Sequence, residues 1–239
     1  MPGDTPDAPG RAWQAVLEHV EARLLSGDLA PGDRLPGERA LSAELGVGRS
    51  SVREALRVLE AMGLIRTAAG SGPSAGAIII ATPGGAMGAL MRLQVAAHGF
   101  PVDDIVRTRL VLEASVADDL ARAHPKPDLS AADLLLDAMD DGALTPAEFL
   151  ALDAQFHLAL AEASGNQVIT ATMAGLRSGI EGYVLAGHDR IADWHETSAR
   201  LRGEHRGVVA AIREGDAPLA RTRIHDHISG YYAEISPDR

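Results

Sequence analysis

The chain has 239 residues, 46% of them hydrophobic and 23% charged, an ordinary composition for a soluble globular protein of one large domain or two modest ones. No apolar run approaches the about 18 residues needed to span a bilayer, and the absence of cysteine excludes disulfides and thiolate metal sites, which fits a reducing cytoplasm. A formal net charge of -11 argues against a general coating of positive charge, so a polyanion would have to be read by a few placed cations.

The opening MPGDTPDAPG carries acids and no apolar core, so it is not a secretory signal and reads as a short disordered tail. A first helix follows from about Arg11 to Ser26, with Trp13, Val16, Leu17, Val20 and Leu24 at helical spacing. Gly27 and Pro31-Gly32 end it, and Pro36-Gly37-Glu38 starts a second helix that runs to about Leu45. Gly46-Val47-Gly48 makes a turn into a third helix, Arg49 to Met62, which presents Val52, Leu56 and Leu59 inward and stops at Gly63. Leu64 to Thr67 and Ala77 to Ala81 read as two strands of a hairpin, joined by the small-residue stretch AAGSGPSAG. Three helices and a hairpin make a winged helix-turn-helix, a unit that places one helix in the major groove of DNA. Arg49 and Arg53 share one face at the start of that helix. An arginine there can pair bidentately with guanine, and Ser50 and Ser51 can donate to phosphates. Arg57 and Arg66 flank them.

Thr82-Pro83-Gly84-Gly85 signals a linker. Beyond it the pattern is helical, over about 85–98, 101–124, 129–141, 146–163, 167–187, 190–214 and 217–233. The sharpest start is Thr145-Pro146-Ala147-Glu148, where threonine caps, proline takes the first turn and glutamate completes a capping box. The fold class expected is mainly α: an N-terminal winged helix-turn-helix (10–82), a linker (83–88) and an antiparallel bundle of six or seven helices (89–233). Asp153 and His157 lie four apart, on or beside the buried face marked by Phe149, Leu152, Phe156 and Leu160. Such a pair needs partners, and candidates lie in RLRGEHRGVV (His205) and RIHDHISGYY (His227).

PGDRLPGER and VGRSSVREALRVLEAMGLI resemble a GntR-type winged helix-turn-helix. Arg109-Leu-Val-Leu-Glu113, Asp153-Ala-Gln-Phe-His157, Ala163-Ser-Gly-Asn166, Glu204-His205 and His227-Ile228 resemble the FCD effector domain of the FadR subfamily. The resemblance implies DNA contacts by Arg39, Arg49 and Arg53. It also implies a metal ion at the bundle centre held by Asp153, His157, His205 and His227. Three imidazoles and one carboxylate suit a divalent transition ion, zinc first, with nickel or manganese as alternatives. Arg109 is expected to face the cavity and pair with a ligand carboxylate, with Asn166 and Arg177 as weaker cavity candidates. His225 is expected behind the metal ligands or at the surface, and His19, His98 and His124 are expected to be structural. Two departures stand out: Gly48 replaces the usual serine cap, and the wing lacks its usual basic or histidine residue, so weaker DNA affinity and a shallower salt slope are expected.

The functional expectation is a metabolite-responsive transcription regulator, a repressor. It would be a cytoplasmic homodimer on a palindromic operator, released or engaged by a small organic acid. Two rivals compete: a metal-dependent hydrolase, which would use the same Asp/His3 set to activate water, and a DNA-binding protein whose bundle only dimerises.

Overall fold

The chain divides after Ala86 into two units. The structure, a computed structural model, describes residues 9–68, 76–81 and 84–236. Residues 1–8 of the expected N-terminal tail, the tip of the wing and the Thr82-Pro83 part of the expected linker lie outside the described residues, while Pro9 and Gly10 belong to the first helix rather than to a tail.

In the first unit, α1 (Pro9–Ser26), α2 (Glu38–Leu45) and α3 (Arg49–Ala61) precede the strands β1 (Ile65–Ala68) and β2 (Gly76–Ile79). Val16 and Val20 of α1, Leu41 of α2, and Val52, Ala55, Leu56 and Leu59 of α3 close one core with Ile65 and Ile79. These positions recur at i, i+3 and i+4, so each helix buries a single stripe. Between α2 and α3, Gly46 takes the left-handed conformation (φ 67°) that ends α2, and Ser42 Oγ donates to Val47 O at 2.6 Å to hold the turn. Gly48 caps α3 with no side-chain bond.

The strands are antiparallel, with Ile65 opposite Ile79, and each sits one or two residues from the expected span. The sequence pattern also missed a third edge. Leu35 N donates to Ala77 O (2.9 Å) and Ile79 N to Asp33 O (2.8 Å), so the segment before α2 lies along β2, with a bridge between Arg34 and Ile78. The Pro31-Gly32 turn signal masked this short pairing.

The second unit is helical: α4 (Gly84–Ala96), which starts at the boundary, α5 (Val102–Arg122), α6 (Ser130–Met139), α7 (Pro146–Ala163), α8 (Gln167–Gly187), a 3-10 turn (His188–Arg190), α9 (Trp194–Glu214) and α10 (Ala217–Ile235). Residues 84–88 of the expected linker are therefore the first turns of α4. Helix α9 starts at Trp194 rather than near 190, because Asp193 caps it by accepting from Glu196 N at 3.0 Å. The capping box of α7 is formed, with Thr145 and Glu148 exchanging hydrogen bonds.

Helix α5 runs along α10 and also touches α7, α8 and α9. Phe149, Phe156, Met173, Ile180, Leu201, Ile212 and Ile224 are among the fully buried side chains between them. Helix α4 lies directly on α8. A Cβ at Gly175 would stand 3.3 Å from Met87 Cγ and one at Gly179 would stand 3.4 Å from Val95 Cγ2, and Arg92 Nη1 donates to Ser178 Oγ at 2.6 Å.

Candidate functional site

Three helices deliver the central cluster: α7 supplies Asp153 and His157 from one face, α9 supplies His205 and α10 supplies His227. One ligand atom from each lies within 4.8 Å of all the others. His157 Nε2 and His205 Nε2 stand 3.2 and 3.1 Å from His227 Nε2. Asp153 Oδ1 stands 3.0 Å from His205, 3.6 Å from His157 and 3.8 Å from His227. Ligand atoms about 2.1 Å from a common ion would be separated by roughly 3.0–3.4 Å, depending on coordination geometry, so the set has the size and chemistry of a metal centre. Without an ion, three imidazole nitrogens would crowd together in a region only 0–4% exposed.

The surroundings fix the imidazoles. His157 Nδ1 contacts Glu113 Oε2, and His227 Nδ1 lies 2.8 Å from Glu204 Oε2. A carboxylate that accepts from Nδ1 leaves Nε2 with its lone pair facing the cluster. His205 Nδ1 is buried with no hydrogen-bond partner. Burial and the neighbouring His227 push His205 down to about 4, and burial pushes His227 down as well, so both are neutral near pH 7 and able to ligate. Burial opposes ionisation of Asp153, but His157, His205 and Arg177 hold its carboxyl well below the usual range.

Arg109, expected to face the cavity, does line it and is buried in an ion pair with Glu113 (6% and 3% side-chain exposure, Nε–Oε1 2.7 Å). Arg109 Nη1 also donates to Tyr232 Oη at 2.8 Å. Arg177 Nη2 donates to Asp153 Oδ2 at 2.8 Å, while its Nε and Nη1 are buried without a partner, as is the Tyr231 hydroxyl. Burial and the like charge of Arg109 push the Arg177 guanidinium down.

A cavity of about 30 Å³ adjoins the cluster and is lined by Arg109, Asp153, His157, Arg177, His227 and Tyr231 among others. Arg109, Leu150, Arg177 and Val184 also line a larger groove between α7 and α8, about 520 Å³. Asn166 is not part of either. It is the exposed cap of α8, its Oδ1 accepting from Val168 N and Ile169 N at 3.1 and 3.2 Å. His225 is exposed beside Asp226. His188 Nδ1 bonds Leu185 O at 2.9 Å, away from the cluster. His19, His98 and His124 also stand outside the cluster. Sequence reasoning missed Glu204, Tyr231 and Tyr232 as neighbours of the site, and their spacing carries no local signal for it.

In the first unit, Arg39, Arg49, Ser50 and Arg53 are exposed and Ser51 is half-buried. Arg53 Nε lies 3.1 Å from Glu38 Oε2, which braces it from α2. Arg57 and Arg66 are exposed too.

The description "Bacterial regulatory proteins, gntR family" matches residues 13–73, and "FCD domain" matches residues 104–230, more than half of the chain. The HTH-type transcriptional repressor NanR of Cronobacter sakazakii is 29% identical over 238 residues, covering 97% of this chain and 88% of the relative. The protein of the same name from Salmonella newport is 29% identical over 235 residues, covering 95% and 86%. Among solved structures, Streptococcus agalactiae GntR aligns with a TM-score of 0.61 at 23% identity over 93% of this chain and 97% of that one, which shows a shared fold. The chain belongs to the GntR family and carries an FCD domain. It is a transcriptional regulator of that type, not an enzyme.

Proposed function

We propose that this GntR-family regulator is a repressor whose helical unit senses a small carboxylate through a bound metal ion. Asp153, His157, His205 and His227 would hold a divalent transition ion, zinc first, with nickel or manganese as alternatives. When bound, the ion supplies a Lewis-acidic point to which a carboxylate can attach. Glu113 and Glu204 orient two of the imidazoles. Arg109 and Arg177 place positive charge on the cavity wall, and the unpartnered Nε and Nη1 of Arg177 offer donors that a carboxylate matches. The observation that carries the reading is the convergence of four buried ligand atoms beside a cavity with unsatisfied donors.

Arg39, Arg49, Ser50, Ser51 and Arg53 would contact operator DNA, with two copies of the chain on a palindrome. The working boundaries are 10–82 for the DNA-binding domain and 89–233 for the effector and dimerisation domain. The relatives named NanR are repressors by description, which supports that sign of regulation. Cytoplasmic residence follows from the same role, and among the described residues no helix is long and apolar enough to cross a membrane.

The test is metal analysis of protein purified without chelator or histidine tag, with operator binding measured before and after dialysis against chelator and in Asp153→Ala/His157→Ala. About one equivalent of ion per chain in the native protein, lost in the variant, is expected. Carboxylate-dependent DNA release should be lost with it. Release that persists unchanged in the metal-free variant overturns the sensor reading and leaves a bundle that only dimerises.

A further inference from the structure

We propose that the effector is an amphipathic monocarboxylate, with its head at Arg177 and an apolar body lying in the groove between α7 and α8. The inference rests on the carboxylate-sensing reading above and adds the class of molecule.

The two spaces differ in size and chemistry. The inner cavity, about 30 Å³, has room for a water or two beside the metal ligands. The groove, about 520 Å³, falls in the range of small-molecule sites. They meet at Arg109, Leu150, Arg177 and Val184. The polar demand lies at this junction and just inside it: Arg177 Nε and Nη1, and the Tyr231 hydroxyl on the inner cavity, are buried with no partner, and Tyr231 is only 7% exposed. Unsatisfied buried donors cost stability, and a carboxylate reaching them relieves that cost.

Outward from the junction the walls turn apolar. Helix α7 contributes Ala147, Ala151, Ala154 and Leu158 at i, i+4, i+7 and i+11, and α8 contributes Ala174, Ile180, Val184 and Leu185. The alanines leave the space, because any larger side chain on that stripe of α7 would fill it. Polar lining is sparse: Gln155, Ser178, which already accepts from Arg92, and Glu181. Glu181 is exposed on the lining, one helical turn after Arg177 on α8, so it offsets positive charge near the junction and would repel a second carboxylate brought there. This disfavours dicarboxylates, and the apolar walls favour one charged head with a hydrocarbon tail.

The experiment is calorimetric titration of the metal-loaded full chain with acetate, butanoate, hexanoate and octanoate, alongside succinate and citrate. Affinity is expected to rise roughly two- to fourfold per added methylene, with hexanoate well ahead of succinate. In Ala154→Trp the chain-length gain should vanish. Since the series on the native protein stands alone, a misfolded variant does not blunt the test. A flat series, or succinate and citrate ahead of hexanoate, overturns the amphipathic assignment while leaving carboxylate sensing intact. No binding by any acid to metal-loaded protein overturns both.

Discussion

Replacing Glu113 by glutamine keeps its shape and removes its charge. In the folded protein this leaves the Arg109 guanidinium, 6% exposed, with the Tyr232 hydroxyl as its remaining bonded partner among those described. Breaking a buried ion pair from one side costs about 3–5 kcal/mol, because the other charge is stranded. Arg109→Met strands Glu113 against His157 in the same way and should cost a similar amount. The double variant, Arg109→Met/Glu113→Gln, buries no unmatched charge at this pair, so its cost should be closer to one single variant than to the sum. The expected coupling is about 3 kcal/mol, at the upper end of measured pairwise terms. Urea denaturation in excess chelator keeps metal out of the comparison. A Trp13→Phe background makes Trp194, which packs edge-on against Phe149 at 5.6 Å, the single indole reporting on the helical unit. Costs that add to within about 0.5 kcal/mol would refute the claim that the two charges stabilise one another in the core.

Three further outcomes follow from the geometry. Because His205 is pushed down to about 4 and His227 is also lowered, the unfolded chain takes up protons first; the metal-free protein should keep full stability above about pH 6.5 and lose it as pH falls toward 4, by roughly 1.4 kcal/mol per pH unit for His205 alone. Chelator-treated protein melted between pH 8 and 4 checks this, and a flat profile contradicts it. Arg49→Ala should weaken operator binding by about 1–3 kcal/mol and relax the choice of one base pair; equal weakening on operator and random DNA in a binding titration would reduce Arg49 to a phosphate contact. Gly187→Ala would place a Cβ 2.7 Å from Ile235 Cβ, so despite alanine's better helix propensity it should destabilise the helical unit by about 1–3 kcal/mol in the same urea assay; an unchanged midpoint would mean the ends of α8 and α10 part freely.

Local chemistry made much of the fold legible. The α7 start was readable because threonine, proline and glutamate each do one job at fixed offsets, and the α2–α3 turn because Gly46 takes a left-handed conformation. The pair of Asp153 and His157 was visible for the same reason, since a four-residue spacing is a face of a helix. What surrounds them was not. Glu113, Glu204 and Tyr232 reach the site from three helices, and no sequence spacing says which helix lies opposite which. Asn166 shows a different limit: an asparagine after Ser-Gly fits a helix cap and a ligand contact equally well by residue type, and the structure shows the cap, with bonds from Val168 N and Ile169 N. The hairpin was found, but its third edge was not, because residues 32–35 show no alternation to read.

The packing of α4 on α8 carries a mechanical consequence. Glycines at 175 and 179 let Met87, Met91 and Val95 of α4 pack straight onto the backbone of α8, so a larger side chain at either glycine would have to push α4 away. Arg177 and Ser178 are sequence neighbours on α8, one bonded to Asp153 in the histidine–aspartate cluster and the other to Arg92 on α4. A displacement of this turn of α8 would therefore act on both bonds at once. The helix at the receiving end is the one through which the chain enters the bundle.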